Sequence, residues 1–534
     1  MKKTLIAIVV LAGAGAAAAP YIIGSQAESI IREQAELTNQ QLAMSMTGNP
    51  QLKDLSMKLE SYEKGYLNAQ AKAMFRVAVT IPGEPEPTVF EIPLNSEITH
   101  GPYLGESGFG LAKIVTRPDL SGLDFPDELK ASLSADTIVI EDVVDFSRQL
   151  NETVTVAPIK VTTKDATVID FAGAKVLSQS SADNRYTFTA DAMIEKLTVS
   201  NDDEPELFIM NPFKMDIQGK GEPDMSKGTY EATSGEMSFE MGESGKLVAQ
   251  SLALKGNYTQ AEGIEMMLGG GELSLRDIEI TNPDALPAPI KIPEFMVKSL
   301  VEQNKSGDMD ISASYAATLD PSLMTVMNSP VDVKTVQLDV VIKSLPVAVV
   351  TKYQEMMQSI AAGESEPGAE AMQEELTAII QSIVKSASSM TMNLAAKATE
   401  GDLNADVELG FQPGLELSED ELMELMGQAD PSSLLSILVG RGHVDLSKGI
   451  TDKAGMTPMV SMMAGDFVKL DGETFKSDMR ITDGQLYVND QLVPLAPAAA
   501  RQSDEVLTDE MAEQIAKDAA KSLEEADEVM KMTE

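Results

Sequence analysis

Cysteine and tryptophan are both absent from the 534 residues. Without cysteine there is no disulfide, no thiol nucleophile, no thiolate metal ligand and no thiol for a lipoprotein anchor. Histidine is nearly absent: His100 and His443 are the only two. Zinc binding and general-base catalysis lean most heavily on histidine, so the sequence disfavours both. Basic residues number 41 against 84 acids, for a formal net charge of −43. That balance opposes a nucleic-acid surface, which needs clustered Lys and Arg, and broad contact with anionic lipid headgroups. It reads as a solvated acidic surface.

Catalytic signatures are missing as well. The sequence has no P-loop, no His-Glu-x-x-His, no Gly-x-Ser-x-Gly and no Gly-x-Gly-x-x-Gly leading into a helix. Ser382-Ile383-Val384-Lys385 has Ser-x-x-Lys spacing, but it lies in an amphipathic helical pattern and lacks a Lys-Thr-Gly partner. Asp308-Met309-Asp310 is acidic without the spacing of a calcium loop. No cofactor and no metal are expected.

What is present begins with an uncharged run, Thr4 to Gly24, behind Lys2 and Lys3. As a helix it spans roughly 30 Å, a bilayer core, and the lysines hold its start in the cytoplasm. Pro20 obstructs cleavage after Ala17-x-Ala19, which favours an uncleaved anchor; the alternative is a signal peptide cut at Ser25-Gln26-Ala27, and both readings export the chain. No second stretch of this kind follows, which makes the topology single-pass.

The remaining chain, with 43% hydrophobic and 23% charged residues, has an ordinary globular balance. Period-two alternation recurs: Ala69 to Val79, Tyr186 to Ala190, Phe213 to Ile217, Ile311 to Tyr315, Met390 to Leu394 and Leu403 to Leu409. Such alternation marks strands with one buried and one solvated face. A helical pattern interrupts it, with Met372, Leu376, Ile379, Ile380 and Ile383 at three- and four-residue spacing over about 369–386. Further short helices are expected at 345–362, 418–440 and 457–464. The fold class is α+β, mainly β: a long antiparallel meander with an inserted helical block, preceded by one N-terminal transmembrane helix.

The expected organisation is 1–3 cytoplasmic, 4–24 in the membrane, 25–50 a helical stalk, 51–345 mainly β, 346–500 mixed, and 501–534 an acidic amphipathic helix. Methionine is abundant, at 32, with clusters at Met423 and Met426 and at Met456, Met459, Met462 and Met463. These either fill the core or form an adaptable apolar groove.

Several short stretches carry a family resemblance. They are the Lys-Lys start with its apolar run, the segment containing Tyr62, Gly65 and Tyr66, the turn His100-Gly101-Pro102-Tyr103, and Gly484 followed by Asn489. Together they resemble the YdgA-like family of bacterial inner-membrane proteins, a domain of unknown function. Asp490 stands where that pattern has glycine. The resemblance implies an anchored periplasmic protein and no established reaction. His100 reads as a structural histidine that ties its loop. The leading expectation is a non-enzymatic envelope scaffold or binding module. The alternatives are a lipid-handling protein with an apolar groove on a curved sheet, and an envelope hydrolase. Expected partners are the inner membrane through residues 4–24 and an envelope protein or lipid, with no nucleic acid. A long sheet edge leaves room for a homo-oligomer.

Overall fold

The structure, a computed structural model, describes residue 39 and residues 52–65, 68–80, 87–164, 166–181, 184–201, 207–222, 226–240, 242, 245–261, 267–282, 285–352, 369–415, 417–418, 421, 435–462 and 467–493. The run 4–24, the tail 501–534 and most of 25–50 and 418–440 lie outside the described residues.

The alternation becomes one antiparallel sheet of 27 strands. In chain order the first are β1 (Leu52–Lys64), β2 (Asn68–Val79), β3 (Thr88–His100), β4 (Ala112–Pro118), β5 (Ile138–Val144), β6 (Gln149–Val156), β7 (Ile159–Thr162), β8 (Val168–Phe171) and β9 (Ala174–Ser181). Then come β10 (Asn184–Ile194), β11 (Leu197–Ser200), β12 (Phe208–Met210), β13 (Phe213–Gly221), β14 (Lys227–Ser234), β15 (Met237–Glu240), β16 (Lys246–Gln260), β17 (Met267–Thr281) and β18 (Ile290–Gln303). The last are β19 (Met309–Thr318), β20 (Val333–Leu345), β21 (Ser389–Ala398), β22 (Gly401–Phe411), β23 (Leu438–Ser447), β24 (Lys469–Asp471), β25 (Thr474–Thr482), β26 (Gln485–Val488) and β27 (Gln491–Leu492). Helices α1 (Asp127–Lys130), α2 (Pro321–Val326), α3 (Ala369–Lys385), α4 (Lys448–Lys453) and α5 (Thr457–Met462) are inserted between strands. Helix α3 matches the apolar spacing read over 369–386, and α5 places Pro458 in its first turn, where its missing N–H costs nothing.

Strands β1 to β6 pair in chain order. The order then runs β6, β9, β10, β13, β14, β16. From β16 to β23 every strand pairs with its successor, and β23 passes to β25, β26 and β27. The helical block does not break the ladder, because β20 and β21 pair directly across it.

The skipped strands form a second ladder. β7, β8, β11, β12 and β15 pair in that order, and β15 joins the first residues of β16. Each continues a long strand interrupted by two residues: Ala157-Pro158, Ala172-Gly173, Glu195-Lys196, Asn211-Pro212 and Gly235-Glu236. These pairs line up across the sheet as a seam. The Glu195 N–H donates to the Gly173 carbonyl at 3.0 Å, and the Asn211 N–H to the Ser238 carbonyl at 3.0 Å. Pro158 and Pro212 supply no ladder donor, so regular pairing stops there. The seam reaches β17 at Asp277, whose φ is +47°.

Residues directly opposite in the ladder share a face. One face is apolar over nearly the whole sheet, and the other carries the charges. In the N-terminal third the apolar face is buried, with Phe75, Val77, Ile92, Leu94 and Ile140 in one core cluster. Its cover is the segment after β4. Leu120, Leu123 and Phe125 join that core, and Leu129 and Leu133 pack against it. Burying each such side chain contributes roughly 1.5–3 kcal/mol.

Candidate functional site

Beyond β10 the same apolar face continues without such a cover among the described residues. One in-register row runs Leu254, Leu273, Val297, Tyr315, across β16 to β19. It goes on through Leu338, Leu394, Ala405 and Val444, across β20 to β23. The next row holds Val340, Met392 and Val407. Most of these side chains are half-buried. Tyr315, Met392 and Leu394 are 44%, 39% and 36% exposed, on β19 and β21, the two strands that flank β20. A contiguous exposed apolar patch of this kind marks a binding surface more often than an accident of composition.

Aromatic rings and glycines alternate where the cover gives out. Phe188 faces Gly219, which faces Tyr230, which faces Gly256. In the next row Gly228 faces Tyr258, which faces Gly269. A Cβ at Gly228 would meet the Tyr258 ring at 2.5 to 2.7 Å, and one at Gly256 would meet the Tyr230 ring at 2.5 Å. The missing side chains let each ring lie flat on its cross-strand neighbour, an aromatic cover for glycine in a sheet. The result is a low, apolar surface.

The polar face holds the second histidine. His443 Nδ1 lies 2.7 Å from Asp478 and Nε2 lies 3.1 Å from Asp445. The Asp478 hydrogen bond, then that of Asp445, raises the imidazole above its ordinary value. Arg441 pairs with Glu408 at 2.8 Å, and the Arg480 guanidinium sits 5.0 Å from the Tyr487 ring centre. No group of three His, Asp or Glu among the described residues has the arrangement of a metal site.

The resemblance motifs fall at two ends of the sheet. Tyr62 packs against the cluster of Ala69, Ala71, Ile98 and Ile114. The Gly65 N–H closes the β1–β2 turn on the Asn68 carbonyl at 2.7 Å. Tyr66 lies outside the described residues. His100 ends β3 beside them, since Asn68 pairs with Thr99. Burial, and then the charge of Lys64, lowers the His100 imidazole below its ordinary value. Its Nε2 is buried and has no hydrogen-bond partner among the described residues. Gly101 precedes a cis Pro102, and a Cβ there would collide with the Gly110 carbonyl.

Gly484 and Asn489 stand at the far end. Asp483-Gly484 joins β25 to β26, and Asn489-Asp490 joins β26 to β27. All four residues have positive φ, from +51° to +72°, as a two-residue type I′ hairpin requires. Asp490 thus adopts the conformation that glycine favours. Buried Asn489 also accepts from the Asp478 N–H at 3.1 Å, tying this turn to the His443 partner.

A family model described as a bacterial protein of unknown function, DUF945, matches residues 1–496. The chain belongs to that family. The match takes in both hairpins and the whole described sheet, while the acidic tail lies beyond it. No curated protein and no solved structure matches the chain.

Sequence reasoning named several strands of the open face but not the face itself. Tyr315, Met392 and Leu394 each sat in a recognised alternation, yet their sharing of one face depends on strand pairing. The methionine cluster behaves differently from a core filler: Met456, Met459 and Met462 are exposed, while Met57, Met309 and Met324 are buried.

Proposed function

We propose that this chain is a non-enzymatic binding protein of the bacterial envelope. Residues 4–24 tether it in the inner membrane, its bulk is periplasmic, and its open apolar face holds the acyl chains of lipids. The YdgA-like resemblance supports the location. The observation that carries the activity is the uninterrupted apolar row from Leu254 to Val444, with exposed Tyr315, Met392 and Leu394 at or beside its centre.

Physical chemistry favours an apolar ligand there. With a net charge of −43, adhesion to anionic headgroups is not the driving force. Covering apolar surface supplies about 2.5 kcal/mol per 100 Å² before association costs. A shallow face without a catalytic constellation suits holding or passing a lipid better than transforming it.

Adjacent residues provide the test. Leu394 and Asn393 point to opposite faces of β21. A photo-crosslinking residue at position 394 of the full chain in living cells should yield lipid adducts, identified by mass spectrometry. One at position 393 should not. No adduct at 394, or equal yields at both positions, would contradict the reading. A protein adduct at 394 would replace the lipid with a partner protein.

A further inference from the structure

The opposite, polar face carries an open groove of about 900 Å³ across β13 to β21. Its walls come from alternate positions on successive strands. In one row Gln218 faces Glu231, then Lys255, then Glu272. The row goes on through Lys298, Ser314, Asp339 and Asn393. Asn393 faces Asp406, which faces His443, and these two line a second cavity of about 350 Å³. The two cavities are therefore consecutive parts of one furrow. Ten strand spacings, from β13 to β25, make it roughly 48 Å long.

Two properties define what fits. The floor is low, made by Gly270, Ser312 and Ser314, which share the face of Lys255 and Glu272. The charges interleave and cancel: Glu272 holds Lys255 at 3.1 Å and Lys298 at 3.2 Å, with Glu231 and Asp339 farther along the row. A polyanion would meet the carboxylates and a polycation the ammonium groups, so neither suits the whole furrow.

We infer that this furrow binds a linear, uncharged polyhydroxylated chain, a neutral glycan strand. Carboxylates and amide oxygens accept its hydroxyl protons, and lysines and amide NH₂ groups donate to its oxygens. The inference is independent of lipid binding, because the two surfaces lie on opposite sides of the sheet.

Saturation-transfer NMR on the full chain in detergent tests it, with chitohexaose, cellohexaose and maltohexaose as probes. At least one should give transfer signals. Ser314→Trp, which fills the floor, should weaken that binding at least tenfold. Asn393→Trp, at an exposed position in the same row, should do the same if the floor variant fails to fold. Glu106→Gln, at an exposed position in the turn before β4, should leave it unchanged. Absence of signal from all three probes, or binding that survives both tryptophan variants, would overturn the inference.

Discussion

The Tyr258 ring lies on Gly228, its direct partner across the β14–β16 ladder. Any side chain at position 228 must displace that ring, because a Cβ would stand 2.5 Å from its hydroxyl. Gly228→Val should therefore lower stability by about 1–3 kcal/mol, the usual cost of overpacking. Combining it with Tyr258→Ala should recover part of the loss. Thermal unfolding of the two single variants and the double variant measures the coupling.

The cover over the N-terminal third makes a second prediction. Phe125 is buried in the core cluster, though its segment has little regular structure. Phe125→Ala should cost about 3–5 kcal/mol. It should also open the apolar face of β1 to β5, read as increased binding of an apolar fluorescent dye. A dye signal equal to that of the unmodified chain would mean the segment does not act as a cover.

The two histidines should titrate on opposite sides of 6.5, and NMR can follow both because the chain has no others. His443 is raised by Asp478 and Asp445, so its stabilising contribution is complete below the unfolded value and fades as pH rises through the folded one. His100 is lowered by burial and by Lys64, so its contribution is present above the unfolded value and is lost as pH falls through the folded one. His443→Gln should remove the first dependence and leave the second.

The β26–β27 turn offers a local test. Asp490 has a φ of +66°, a region that aspartate tolerates and β-branched residues do not. Asp490→Gly should change stability by less than about 0.5 kcal/mol, and Asp490→Val should cost about 1–2 kcal/mol. Denaturant midpoints of the two variants distinguish the turn type from a looser one.

Much of the strand content was legible because alternation is a local signal. Ala69 to Val79 and Leu403 to Leu409 announce β2 and β22 without knowledge of their partners. Helix α3 was legible from its apolar spacing. The pairing order was not, because a strand's own pattern does not name its neighbour. For the same reason His443 and Asp478, 35 residues apart, gave no sign of meeting. The seam was written in Pro158, Gly173, Pro212 and Gly235, but these look like ordinary turn residues until the strands are aligned. Leu120, Leu123 and Phe125 show no period, so their role as a cover emerges only from packing.

The most direct measurement is a photo-crosslinking scan of every position from Met390 to Ala395 in the full chain in cells. Lipid adducts are predicted to rise at Met390, Met392 and Leu394 and fall at Thr391, Asn393 and Ala395, a period of two that follows the apolar face. A uniform yield along β21, or the opposite phase, would contradict an apolar face that holds lipid.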